Sequence, residues 1–130
     1  MKIAIIGAGK VGTTLGKSLA ARGHEIIYAV RDAGDSRPEL LDHGTVSVVA
    51  AAVARADAAI LTTPWDATEA AVRSAGDFQG KPLIDVTNPL GKDFGLTVGH
   101  TDSGAETVAR WAKSAKVVKD FHTTGVENMA

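Results

Sequence analysis

The sequence predicts an α/β domain built on a doubly wound parallel sheet. Two observations carry this. Six short apolar, strand-like runs alternate with helical patterns along the 130 residues. A glycine-rich turn follows the first run at once, in "IAIIGAGKVGTTLG", residues 3–16. Strands alternating with helices imply right-handed βαβ crossovers and a parallel sheet. Six strands in the order 3-2-1-4-5-6 are what one doubly wound nucleotide domain contains.

Ile3–Ile6 is a short β-branched run and reads as a buried strand. Val11, Leu15 and Leu19 recur every four residues and mark one face of a helix, which Gly23 stops. Glu25–Val30 reads as the second strand. Residues 33–44 are polar and turn-rich, with a helical turn after Pro38. Thr45–Val49 reads as the third strand, followed by an Ala-rich helix ending near Ala56. Ala58–Thr62 is the fourth strand, Asp66–Ala75 a helix, and Leu83–Thr87 the fifth strand. After a loop with Gly91, Gly95 and Gly99, Ser103-Gly104-Ala105-Glu106 reads as a capping box. It opens a helix through about Ser114, and Lys116–Asp120 is the sixth strand.

The composition narrows the function classes. Hydrophobic residues make up 45% and charged residues 22%, with a net charge of −1. This is ordinary for a soluble globular chain and gives no electrostatic reason to expect nucleic acid or an anionic membrane as partner. There is no cysteine, which excludes disulfides, thiolate catalysis and Cys-ligated metal centres, and fits a cytoplasmic protein. No apolar h-region follows Met1-Lys2, and no run reaches the roughly 18 apolar residues of a membrane span. No His, Asp and Glu share metal-ligand spacing, so no metal is expected.

Gly7, Gly9 and Gly12 fit G-x-G-x-x-G, the dinucleotide fingerprint of a Rossmann domain. Gly7 allows the tight strand-to-helix turn. Gly9 lets a pyrophosphate approach the backbone, and Gly12 lets the helix pack on the strand. Ala8, Lys10 and Val11 belong to the same loop and first helical turn, whose free N–H groups and positive dipole end suit phosphate. No Gly-Lys-Ser/Thr follows, so a Walker-type loop is excluded.

The end of the second strand chooses the dinucleotide. An Asp or Glu there binds the ribose hydroxyls of NAD, whereas an Arg binds the 2′-phosphate of NADP. Arg31 occupies that position and Arg37 adds a second cation, which favours NADP(H). Asp32 would favour NAD if its carboxylate faced inward. Thr62, Thr63 and Pro64 at the fourth strand end, and Asn88 and Pro89 at the fifth, stand where the ribose and nicotinamide would pass. Trp65 either walls the cofactor or packs against the next helix. Asn88 either holds a carboxamide or serves the turn. His122, at the sixth strand end, is the candidate acid–base residue, and the catalytic group is otherwise unassigned.

Together "MKIAIIGAGKVGTTLG", Val30-Arg31-Asp32, "AILTTPWDA", "LIDVTNPL", "SGAETVARW" and "DFHTTGVENMA" resemble the coenzyme F420-dependent NADP oxidoreductase family across essentially the whole chain. The family includes NADPH-dependent deazaflavin reductases and the cytoplasmic domains of membrane ferric reductases. The resemblance implies a Rossmann domain that binds NADP(H) and passes hydride to or from a deazaflavin (F420) or a flavin. It implies that Gly7, Gly9 and Gly12 hold the pyrophosphate and that Arg31 holds the 2′-phosphate. Val30 stands where the family has a hydroxyl residue, so one phosphate hydrogen bond is missing. Thr63-Pro64 and Asn88-Pro89 match the nicotinamide-side loops. Members continue beyond the point matching Ala130, into a region that completes the acceptor pocket and often a homodimer contact. That region is expected to be absent from this chain. Two alternatives stay open. One is the cofactor domain of a 3-hydroxyacid dehydrogenase or pyrroline-carboxylate reductase. The other is a non-catalytic NADP-binding module.

Overall fold

In the computed structural model, residues 1–31, 34, 37–87 and 104–119 are described. The elements are β1 (Lys2–Ile6), α1 (Lys10–Ala21), β2 (Glu25–Ala29), α2 (Pro38–Leu41), β3 (Gly44–Ser47), α3 (Val49–Arg55), β4 (Ala58–Leu61), α4 (Trp65–Ser74), β5 (Pro82–Asp85), α5 (Gly104–Trp111) and β6 (Lys116–Lys119). The six strands pair in parallel as β3-β2-β1-β4-β5-β6. This is the doubly wound order expected from the alternation of elements. The order turns back beside β1, and the switch places a crevice over the carboxyl ends of the central strands.

The sheet divides the core into two layers. On one face Ala4, Ile6, Ile27, Ala29, Ala59, Leu61 and Leu83 meet α3, α4 and α5 through Val53, Val72 and Val108. On the other, Ile3, Ile5, Ile26, Tyr28 and Ile60 meet Leu15 of α1 and Leu40 of α2. Alternate residues of β1 and β2 thus enter opposite layers, which is why these strands are apolar at nearly every position. Lys81 closes the lower end of α3, its Nζ donating to the carbonyls of Val53 and Ala54 at 2.8 and 3.1 Å.

Several boundaries depart from the sequence expectation. β3 is Gly44–Ser47, two residues earlier than expected at its far end, and Val48 caps α3 in extended conformation. Val49, Ala52, Val53 and Ala56 are all buried in one layer at helical spacing, so core packing draws Val49 into the helix. The strand opens on a glycine, Gly44, where a Cβ would lie 2.5 Å from the Ile26 carbonyl oxygen. β2 and β5 end at Ala29 and Asp85, before the expected Val30 and Thr87. α5 stops at Trp111, not Ser114, and Ser114 takes a positive φ of 63°. The expected Ser103 cap and the end of the sixth strand at Asp120 lie outside the described residues.

Candidate functional site

Backbone hydrogen bonds carry the strand register past the strand ends and hold the rim of the crevice. Val30 N–H donates to Ser47 O at 2.9 Å, and Gly7 N–H to Ala29 O at 3.2 Å. Thr62 N–H donates to Ile6 O at 2.9 Å, and Val86 N–H to Leu61 O at 3.0 Å. The loops after β1, β2, β4 and β5 therefore start from fixed positions.

The glycine loop has the geometry its spacing implies. Gly7 turns the chain with φ 109°. A Cβ on Gly12 would lie 2.3 Å from the Gly7 carbonyl oxygen, so the helix seats directly on the turn. A Cβ on Gly9 would meet nothing within 4 Å, so the space beside it is open. Gly9 is also the N-cap of α1 and offers no side-chain hydrogen bond to the first turn. The N–H groups of Lys10 and Val11 thus begin a helix whose positive dipole end is uncapped by any side chain.

Thr62 stands beneath this loop. Its hydroxyl is shared between the carbonyls of Ile6 at 3.1 Å and Gly7 at 3.0 Å. It would also touch a Cβ on Gly12, at 2.8 Å. Thr62 braces the loop from β4 and is not among the residues lining the cleft. Thr68 donates to Pro64 O at 2.9 Å. The hydroxyl contact of 2.8 Å between Thr63 and Thr68 therefore takes its proton from Thr63. This chain fixes the Thr63-Pro64 turn against α4.

A cleft of 730 Å³ opens above these elements. Its size suits a small-molecule or cofactor site. Gly7 and Ala8, Arg31 and Arg37, and Thr63 and Pro64 line one continuous cavity. Asp66, in the first turn of α4, is the acidic side chain among the lining residues. The floor contains residues the sequence did not single out: Val49 of α3, and Ala67, Ala70, Ala71 and Ser74 of α4. Ala67, Ala70, Ala71 and Ser74 share one face of α4 by their i, i+3, i+4, i+7 spacing, but nothing in the sequence says that this face, or Val49, meets the cleft.

Trp65 does not line the cleft. Its ring packs against that of Trp111 in α5, with centroids 5.5 Å apart. Of its two readings, packing against a following helix is the one observed. Asp32, Asn88, Pro89 and His122 lie outside the described residues. Among the described residues no helix is long and apolar enough to cross a membrane.

The match to known proteins follows this geometry. The model of the coenzyme F420-dependent NADP oxidoreductase family matches residues 2–89, which hold the glycine loop, both arginines and the Thr63-Pro64 turn. The chain belongs to that family. One similar solved structure is a protein from Arthrobacter sp. FB24, provisionally assigned as an F420-dependent NADP reductase. It is 33% identical with a TM-score of 0.88, and the match covers 98% of this chain and 64% of that one. A hypothetical protein from Sinorhizobium meliloti is 25% identical with a TM-score of 0.86, covering 99% of this chain and 65% of that one. This chain thus spans somewhat under two thirds of these two family-like structures. An imine reductase from Bacillus cereus, 16% identical with a TM-score of 0.68 over 91% of this chain and 39% of that one, shares the fold. No curated protein matches the chain significantly.

Proposed function

We propose that this chain is the NADP(H)-binding domain of an oxidoreductase whose hydride partner is a deazaflavin or a flavin. The observation that carries the reading is the joint lining of one cleft by Gly7-Ala8, by the Arg31 and Arg37 cations, and by Thr63-Pro64. A pyrophosphate fits the open space beside Gly9 at the start of α1. A 2′-phosphate fits Arg31, whose guanidinium can pair with it in two places, with Arg37 adding charge. Beside these, the floor of Val49, Ala67, Ala70 and Ala71 accepts a flat, apolar ring face.

The nicotinamide, when bound, supplies the hydride chemistry. The residues of this chain contribute binding and orientation. Thr62 and Thr68 hold the glycine loop and the Thr63-Pro64 turn rigid, so that a ring laid over them has one resting place. From the sequence motif alone, Asn88 and Pro89 are assigned to the same nicotinamide side. We assign no proton transfer to the protein, because hydride passage between two stacked rings needs none.

An acceptor screen tests the proposal. NADPH and the full-length gene product are mixed in turn with a deazaflavin, a flavin and a ferric chelate. The expected result is reduction of the deazaflavin or flavin matched by NADPH oxidation. Tight NADPH binding with no acceptor reduced would instead mark a cofactor-binding module.

A further inference from the structure

Asp85 ends β5 with its side chain fully buried. An isolated carboxylate in such a place is unfavourable, so its partners carry information. Oδ1 accepts from the Thr87 backbone N–H at 2.8 Å and from the Thr87 hydroxyl at 2.6 Å. Oδ2 has no hydrogen-bond partner among the described residues. It faces the Lys119 Nζ at 3.5 Å, across the register that pairs Asp85 with Lys119. The same Lys119 Nζ donates to the Thr87 carbonyl oxygen. The amide, hydroxyl and carbonyl of Thr87 are therefore all held by one pair of opposite charges, and Thr87 itself is buried.

Stability alone is a poor reason for this arrangement. A buried ion pair is often no more stabilising than apolar residues of similar volume, and a neutral side chain could close the same turn. The place of Thr87 suggests another reason. The strands run β2, β1, β4, β5 from the Arg31 end of the crevice outward. In a doubly wound domain a dinucleotide lies across the carboxyl ends of the strands, so one with its 2′-phosphate at Arg31 and its pyrophosphate over β1 would extend its nicotinamide half towards β4 and β5.

We propose that Asp85 and Lys119 are positioning residues for the nicotinamide half of the site: they fix the backbone of Thr87, itself buried and off the cleft, where the chain leaves β5. The inference rests on the NADP(H) reading above. It differs from that reading in assigning work to a charge pair that does not line the cleft and that the glycine fingerprint does not include.

Two ligands separate the halves of the site. NADPH spans the whole crevice, whereas adenosine 2′,5′-bisphosphate carries only the adenosine and 2′-phosphate half. Calorimetric titration of each into the wild-type chain and into Asp85→Asn, Lys119→Met and Lys119→Arg gives the answer, with thermal unfolding to check each fold. Asp85→Asn keeps the shape and an acceptor for Thr87, so it tests the charge and not the volume. The expected result is a loss of NADPH affinity of roughly tenfold in Asp85→Asn and Lys119→Met, the scale of one charge-assisted hydrogen bond. Binding of the bisphosphate should stay within about twofold, and Lys119→Arg should recover most of the loss. Parallel loss of both ligands, or of neither, overturns the positioning role. A wild-type chain that binds neither ligand overturns the NADP(H) reading itself, and this inference with it.

Discussion

Gly16 of α1 lies directly against the Tyr28 ring of β2: a Cβ at Gly16 would come 2.0 Å from the Tyr28 hydroxyl oxygen and 2.7 Å from the ring carbon bearing it. The fourth glycine of the opening stretch is therefore a packing residue, outside the phosphate loop. It lets α1 settle over a fully buried tyrosine whose hydroxyl finds no hydrogen-bond partner among the described residues.

Gly16→Ala should destabilise the fold by about 1–3 kcal/mol, the usual cost of overpacking a filled core. Tyr28→Phe removes a buried, unpaired hydroxyl and should be neutral or stabilising by up to about 1–2 kcal/mol. Because the two residues touch, their effects should not add, and Gly16→Ala should cost less in the Tyr28→Phe background. Urea unfolding midpoints at unchanged slope measure all three.

The same tyrosine sets an alkaline limit. Burial raises its pKa above the ordinary value of 10.0. Above about pH 10 the unfolded chain releases this proton while the native chain keeps it, so stability falls as pH rises. Below that value the contribution is constant. Tyr28→Phe should flatten the decline between pH 10 and the native pKa, as followed by chemical unfolding at stepped pH.

Gly9 and Gly12 should separate binding from folding. A Cβ fits freely at Gly9 and collides with the Gly7 carbonyl at Gly12. Gly9→Ala should leave stability within about 0.5 kcal/mol and weaken NADPH by tenfold or more, on the order of one lost backbone–phosphate approach. Gly12→Ala should cost about 2 kcal/mol or more and lose binding with it. Paired thermal unfolding and NADPH titration distinguish the two patterns.

Lys81→Met should cost about 1 kcal/mol, because the carbonyls of Val53 and Ala54 at the end of α3 lose a cationic donor. Lys81 does not line the cleft, so NADPH affinity should be unchanged, which a titration checks.

The sheet was legible because its strands are short continuous apolar runs. A parallel sheet covered on both faces demands such runs, and Ile3–Ile6 is the plainest of them. The glycine spacing was legible because each glycine answers a local steric demand. Boundaries were less so: valine suits a strand and a helix core equally, and only the burial of Val49 with Val53 decides that α3 begins there. Long-range partners left no local mark. Nothing in the sequence around Gly16 names Tyr28, and nothing around Asp85 names Lys119. The alanines of α4 read as helix formers, and only the fold turns Ala67, Ala70 and Ala71 into a cleft floor.

If Arg31 gives this crevice its preference for NADP(H), one pair of titrations shows it. NADPH and NADH are titrated separately into the wild-type chain and into Arg31→Ala. Wild type should bind NADPH more tightly than NADH. Arg31→Ala should lose roughly tenfold or more for NADPH, the scale of a charge-assisted hydrogen bond to phosphate, with little change for NADH. NADH binding as tightly as NADPH to wild type, or an equal loss of both in Arg31→Ala, would contradict it.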